Sequence, residues 1–172
     1  MTIHARVIDT PVGALLALVE PDGALVALPF VGDRPAASLA ANASPTGADI
    51  LWREDTAMPV ERQLREYFDG QRRTFTLDLR PRGTDFQQLV WRALSDVPFG
   101  DTVSYGELAR RVGGRSSARA VGRANATNPI PVIVPCHRVI GANGDLTGYG
   151  GGMARKEYLL VHEGALQPSL RL

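Results

Sequence analysis

The residues with the plainest chemical potential stand side by side. Cys136, His137 and Arg138 close the stretch Asn128-Pro129-Ile130-Pro131-Val132-Ile133-Val134-Pro135-Cys136-His137-Arg138. A thiol beside an imidazole and a guanidinium can have its pKa lowered, and the thiolate is the nucleophile. The competing reading of a lone cysteine is a buried, inert small hydrophobe. Cys136 is the only cysteine in 172 residues. An internal disulfide, a CxxC redox pair and a multi-cysteine zinc cage are therefore excluded. The fold must stand on its core, and a reducing cytoplasm is the expected location.

The elements that hold this pair read as follows. Three prolines keep residues 128–138 from forming a regular helix or a central strand. Ile130, Val132, Ile133 and Val134 make the stretch apolar, so it is expected to be a buried, rigid connection. Upstream, Thr84-Asp85-Phe86-Gln87 is a capping-box pattern opening a helix with Phe86, Leu89, Val90, Ala93 and Leu94 on one face. Ser104-Tyr105-Gly106-Glu107 is a second such pattern, followed by Leu108, Ala109 and Val112. Gly113-Gly114 breaks that helix, and Ser116 or Ser117 can cap the next, which runs through Ala118, Ala120, Gly122 and Ala124. Two short helices joined by a Gly-containing turn suggest a helix-turn-helix. The second helix lacks the Asn, Gln and Arg mixture that reads base edges in a major groove. Contact with DNA would be led by shape and backbone, and the competing reading is tight helix packing.

The first half is built differently. Residues 3–9, 14–20 and 24–30 read as short strands between turns containing Pro11, Gly13, Pro21 and Gly23. Residues 31–50 read as a long loop, residues 59–68 as a helix ended by Gly70, and Phe75, Leu77 and Leu79 as a strand. Residues 80–83 read as a linker. This predicts an α+β chain: residues 1–80 as a small sheet-plus-helix domain, and residues 81–172 as a mostly helical domain holding the Cys-His pair.

Composition is that of a soluble globular protein, 44% hydrophobic and 22% charged, with a net charge of +1. The near-neutral total hides an asymmetry. Residues 1–80 carry 8 arginines against 11 acids, and residues 81–172 carry 11 cations against 7 acids. Arg110, Arg111, Arg115, Arg119, Arg123 and Arg138 cluster there, which suggests a polyanion contact or simply a solvated helix face. The N-terminal stretch lacks the basic start and apolar run of a signal peptide, and no run of 18 apolar residues could span a membrane.

The pattern Pro135-Cys136-His137-Arg138-Val139 after an Asn-Pro-containing apolar run resembles the active-site signature of the O6-alkylguanine-DNA alkyltransferases, also called methylated-DNA--protein-cysteine methyltransferases. Residues 86–91, 98–108, 118–122, 128–140 and 148–163 resemble the family in order and spacing, which covers most of 84–164. The resemblance implies a ribonuclease-H-like N-terminal domain and a winged-helix-like helix-turn-helix in the C-terminal one. It implies DNA repair by direct reversal: stoichiometric, irreversible transfer of the alkyl group from O6-alkylguanine in flipped-out duplex DNA to Cys136, without a cofactor. O4-alkylthymine is left open as a second substrate, and so is cooperative assembly of an otherwise monomeric protein on DNA.

The resemblance also gives roles to matching positions. Cys136 is the acceptor, His137 the base that through a water keeps Cys136 ionised, Glu163 its orienter, and Asn128 the brace of the turn. Tyr105 donates toward N3 of the purine. Arg119 fills the gap left by the flipped nucleotide, and Ala118, Ala120 and Gly122 lie in the minor groove. Tyr149 packs against the base, the Gly150 N–H approaches O6, and the carbonyls of Cys136 and Val139 accept from the exocyclic amine. Some members bind structural zinc through N-terminal Cys and His residues. Here only His4, His137, His162 and Cys136 exist, so no metal is expected. Some members have Ser where Gly150 stands, which makes this pocket wall more open.

Two other functions remain at this point. A helix-turn-helix protein could bind alkylated DNA and flag it without reacting, although the presence of Cys136 argues against that. A cysteine hydrolase could use Cys136 and His137, but adjacent Cys and His usually point apart in such enzymes and no oxyanion-hole signature accompanies them.

Overall fold

The computed structural model describes residues 1–114 and 116–168. The chain forms two compact units, Met1–Arg82 and Gly83–Leu172.

In the first unit, β1 (Thr2–Ile8), β2 (Leu15–Val19), β3 (Leu25–Ala27) and β4 (Asp49–Trp52) form one sheet in the order β3-β2-β1-β4. β1 and β2 are antiparallel, with Ala5 opposite Leu18, whereas β4 runs parallel to β1. β2 is buried along its whole length. Ile3, Ala5, Leu16 and Leu18 pack with Val26, Leu39 and Ala40.

Leu39 and Ala40 belong to α1 (Ala36–Ala43), in the stretch expected to be a loop. Five of its eight residues are alanine, the best helix former, and one face is buried against the sheet. Tertiary packing and alanine propensity together outweigh the flanking Pro, Ser and Gly that suggested a loop. α2 (Met58–Phe68) follows, burying Val60, Leu64 and Tyr67 at helical spacing. The expected third strand is cut short to Leu25–Ala27, because Pro29 has no N–H to extend a ladder. The expected strand through Phe75, Leu77 and Leu79 reduces to a single bridge between Leu79 and Leu25.

In the second unit, α3 (Asp85–Ser95) starts at a complete capping box. Thr84 Oγ1 accepts from the Gln87 N–H at 3.2 Å, and the Thr84 N–H donates to Gln87 Oε1 at 2.9 Å. Val90, Trp91 and Leu94 are buried, but Leu89 is exposed, so the apolar face is narrower than expected. α4 (Tyr105–Val112) and α5 (Ala118–Ala126) pack on α3 and on each other as a helix-turn-helix. Ser104 caps α4 and Ser117 caps α5. The expected second capping box is only half formed. The Glu107 carboxylate binds Arg110 and Arg111, because guanidinium donors one turn along attract it more strongly than a neutral N–H. The Trp91 indole donates to the Ala124 carbonyl at 2.9 Å, locking α3 to α5.

A short parallel pair, β5 (Val103–Ser104) with β6 (Val139–Ile140), sets Val103 opposite Val139. This pairing puts Tyr105, the first residue of α4, beside the chain that has just left Cys136. α6 (Met153–His162) completes the unit. Among the described residues no helix is long and apolar enough to cross a membrane.

Candidate functional site

Cys136, His137 and Arg138 form one 3-10 turn, all three buried. The stretch before it is buried from Ile130 onward, and Val132 is held at φ 73. That is an unusual conformation for a β-branched residue, and it persists only where packing over-determines it. Asn128 braces the bend, accepting from the Ile130 N–H at 3.0 Å and donating to the Val134 carbonyl at 2.8 Å.

His137 is fully buried, and its Nε2 meets Glu163 Oε1 at 2.8 Å. Glu163 sits at the C-cap of α6, where the helix dipole disfavours an anion. Burial alone would raise its pKa. Hydrogen bonds from His137 and Arg138 outweigh burial and bring it down to about 2. Glu163 is thus a carboxylate at neutral pH and can only accept. The shared proton therefore sits on His137 Nε2, and Nδ1 carries the lone pair. Burial pulls the imidazole pKa below its usual value, against the opposing pull of Glu163, so the ring is neutral. Nδ1 is buried and has no protein partner.

Arg138 departs from both expectations placed on it. It is 6% exposed and belongs to no surface patch. Its Nε donates to Glu163 Oε2 and its Nη2 to Glu163 Oε1, each at 2.9 Å, and its Nη1 donates to the Val97 carbonyl at 2.6 Å. The guanidinium is consumed by Glu163 and does not acidify the thiol. Burial pushes the Cys136 thiol up to about 11, against weaker downward pulls from hydrogen bonding to Asn128 and Tyr149 and from the Lys156 charge. The expected low thiol pKa is thereby corrected: the resting side chain is a protonated thiol.

An open cleft of about 570 Å³ is lined by Tyr105, Ala118, Gly122, Ala126, Gly148, Tyr149 and Gly150. Ala118, Gly122 and Ala126 recur every four residues and share one face of α5. Ala120 is half-buried, and two residues of helical rotation place it away from that face. Tyr149 joins cleft to thiol, since it lines the first and interacts electrostatically with the second. The Tyr105 hydroxyl lies 2.8 Å from Thr147 Oγ1. Arg119 and Arg123 are exposed on α5, Arg110 and Arg111 are tied to Glu107, and Arg115 lies outside the described residues.

Two polar residues at the site went unread in the sequence, and a third was expected only as part of the 146–151 loop walling the pocket. Asn125, 5% exposed, donates to the Cys136 carbonyl at 3.4 Å. Lys156 is fully buried and donates to the Val139 carbonyl at 2.5 Å and the Thr147 carbonyl at 3.1 Å. Thr147 is the third. The Cys136 carbonyl accepts from both Asn125 and the Val139 N–H, and the Val139 carbonyl accepts from Lys156. Lys156 had a readable signal. It precedes Leu159 and Leu160 by three and four residues, in register with the buried face of α6. No group of three or more His, Cys, Asp or Glu among the described residues could hold a metal ion.

The fold and site define a two-unit protein with a helix-turn-helix and a lone buried cysteine followed in the chain by the histidine of a buried His–Glu pair. The family model for the 6-O-methylguanine DNA methyltransferase DNA binding domain matches residues 85–165, and that for its ribonuclease-like domain matches residues 3–81. A methylated-DNA--protein-cysteine methyltransferase of Mycolicibacterium paratuberculosis is 46% identical over 170 residues, covering 97% of this chain and 96% of that one. One of Mycobacterium leprae is 46% identical over 161 residues, covering 94% and 92%. The crystal structure of Mycobacterium tuberculosis O6-methylguanine methyltransferase superposes with a TM-score of 0.82 at 42% identity, covering 97% and 96%. The M. tuberculosis protein crystallised in complex with DNA superposes at 0.80 with 44% identity, covering 93% and 92%. The chain belongs to the 6-O-methylguanine DNA methyltransferase family.

Proposed function

We propose that this protein repairs alkylated DNA by direct reversal, moving the alkyl group of O6-alkylguanine irreversibly onto Cys136. The observation that carries the reading is the placement of the chain's only thiol. It lies at the end of the His137–Glu163 pair, next to a cleft walled by the second helix of the helix-turn-helix. The relatives' names and the crystallised DNA complex support it.

The target oxygen is inaccessible inside a paired duplex, so the base must leave the stack and enter the cleft. The small side chains of Ala118 and Gly122 let α5 come close to a minor groove. Arg119, exposed beside them, is placed to enter the vacated stack. In the cleft, Tyr149 packs on the base, the Gly150 N–H faces O6, and Tyr105 donates to N3. The exocyclic amine donates to the carbonyls of Cys136 and Val139, at Cys136 in place of the long 3.4 Å bond from Asn125. His137 Nδ1, unpartnered by protein, takes the thiol proton through a water. Sulfur then bonds to the alkyl carbon as the carbon–O6 bond breaks. Its electron pair goes to the purine, whose developing charge the donors at N3 and O6 stabilise. The proton taken from the thiol ends on the purine, leaving neutral guanine, and the thioether cannot be cleaved by any group present. One chain therefore repairs one lesion. Every residue involved lies within 81–172 of a single chain, so a monomer suffices.

The test is incubation with a duplex containing O6-methylguanine, followed by intact mass and peptide mapping. The expected result is one added CH₂ on Cys136 and no activity beyond one equivalent. Multiple turnover, or binding without modification, overturns the reading. Arg119→Ala should slow transfer from duplex more than reaction with the free base. Equal losses on both would remove its intercalating role.

A further inference from the structure

Thr147 stands where the pocket-wall loop faces the start of α4. Its Oγ1 lies 2.8 Å from the Tyr105 hydroxyl, and both side chains are part-buried. Its own backbone is fixed, because the buried Lys156 ammonium donates to the Thr147 carbonyl at 3.1 Å and to the Val139 carbonyl at 2.5 Å. Val139 in turn pairs with Val103, two residues before Tyr105. The two hydroxyls are thus anchored from both sides, through β5–β6 and through α6. The contact lies at the cleft, which Tyr105 lines. The geometry is that of a hydroxyl held in place for use elsewhere.

We propose that Thr147 is a positioning residue for alkyl transfer, acting through Tyr105. A phenol has one hydrogen to give and two lone pairs to accept with. In the resting protein either hydroxyl can donate to the other. When a purine N3 arrives, Tyr105 can donate to only one acceptor. If it turned from Thr147 to N3 with no partner behind it, the phenol oxygen would lose its hydrogen bond. With Thr147 present, the Thr147 hydroxyl rotates and donates to the Tyr105 oxygen while Tyr105 donates to N3. The Thr147–Tyr105–N3 chain holds the phenol in one orientation, and donors in series polarise one another. No proton is gained or lost by Thr147. The inference rests on the alkyl-transfer reading above, and specifically on Tyr105 meeting N3.

The experiment compares single-turnover alkyl transfer for the unaltered protein, Thr147→Val, Thr147→Ser, Tyr105→Phe and the Thr147→Val/Tyr105→Phe double variant. Each reacts with a duplex containing O6-methylguanine and with one containing O6-methyl-3-deazaguanine, which has no N3 acceptor. Thermal unfolding and duplex affinity are measured alongside. Valine keeps the shape of threonine and removes the hydroxyl. Thr147→Val should slow transfer from the ordinary duplex about 2- to 10-fold, the range of one neutral hydrogen bond. Thr147→Ser should restore it. On the 3-deaza duplex Thr147→Val should match the unaltered protein, and the double variant should be no slower than Tyr105→Phe. A structural defect would slow both substrates alike, and that result overturns the proposal. So does a Thr147→Val variant as fast as the unaltered protein on the ordinary duplex. Failure of the unaltered protein to transfer at all would instead defeat the alkyl-transfer reading, and this inference with it.

Discussion

Replacing Glu163 by glutamine keeps the shape of the side chain and removes the charge that organises the site. The structure sets the size of the effect in two independent ways. First, the Glu163 carboxyl is held at about 2 rather than at the ordinary 4.5, so its charged form gains about 3 kcal/mol on folding. Second, Glu163→Gln leaves Arg138 cationic at 6% exposure, facing one neutral amide oxygen where it had two carboxylate oxygens. Stranding one partner of a buried pair costs about 3–5 kcal/mol. The two figures agree, so a loss of about 3 kcal/mol at neutral pH is expected. The sign of the pH dependence follows from linkage. A carboxyl with a depressed folded pKa stabilises above its unfolded value, and that stability is lost as pH falls from about 4.5 toward about 2. His137, also depressed, acts in the same direction, its contribution falling away below the ordinary 6.5. The unaltered protein should therefore lose its advantage over Glu163→Gln across the lower window, and the two curves should converge. The assay is urea unfolding at stepped pH, followed by the fluorescence of Trp91. Trp91 is 3% exposed in the C-terminal unit, and a Trp52→Phe background removes the half-exposed tryptophan of the other unit. Equal stabilities at pH 7, or a gap that stays constant down to pH 2, would refute the ion-pair reasoning.

Three further outcomes follow from the same geometry. With its pKa at about 11, Cys136 should show no thiolate absorbance at neutral pH. Iodoacetamide should alkylate it on the order of 100-fold more slowly than in the urea-unfolded chain, and a fast reaction would contradict the burial argument. At Gly122 an added Cβ would lie 3.6 Å from the Tyr105 ring, an ordinary contact. Gly122→Ala should thus gain roughly 0.5–1 kcal/mol of helix stability, measured by urea unfolding. Gly122→Leu should fold yet weaken duplex binding in a gel-shift assay, since the larger side chain fills the cleft. Thr84→Ala removes the side-chain acceptor that caps α3, and unfolding should show a loss of about 1 kcal/mol, whereas no change would mean the cap is redundant.

What the sequence could show depended on the range of the interaction. The α3 cap is legible because Thr84 and Gln87 are three residues apart, and β1 and β2 because alternation and turn residues are local. α1 was not, because its alanines carry no periodicity of their own and its buried face exists only once the sheet is there to meet it. The same divide runs through the site. Cys136 and His137 are adjacent in the chain, and the small-residue repeat of α5 is written at four-residue spacing. Arg138 looked like one more surface cation because its partner, Glu163, is 25 residues away. Adjacent residues on a 3-10 turn project in different directions, so the guanidinium next to Cys136 in sequence serves the carboxylate instead. Asn125 reaches the Cys136 carbonyl, and Lys156 reaches Val139 and Thr147, only through tertiary folding.

On the proposed route, in which His137 takes the thiol proton through a water, a thiol held at about 11 beside a neutral imidazole sets the order of events. Moving the proton from Cys136 to an imidazole whose pKa is lowered by burial is uphill, by several kcal/mol before the attraction between the thiolate and imidazolium so formed offsets part of the cost. A step as fast as about 1 s⁻¹ tolerates a total barrier of roughly 17 kcal/mol, so this cost fits within it without a pre-formed thiolate. It does mean that the nucleophile exists only transiently, when the purine is in place to take the electron pair of the breaking carbon–O6 bond. For a protein whose acceptor works once, that ordering has a physical consequence. A standing thiolate would react with any passing electrophile or oxidant, whereas a buried, protonated thiol is spent only where His137, Tyr149 and the cleft meet a fitted substrate.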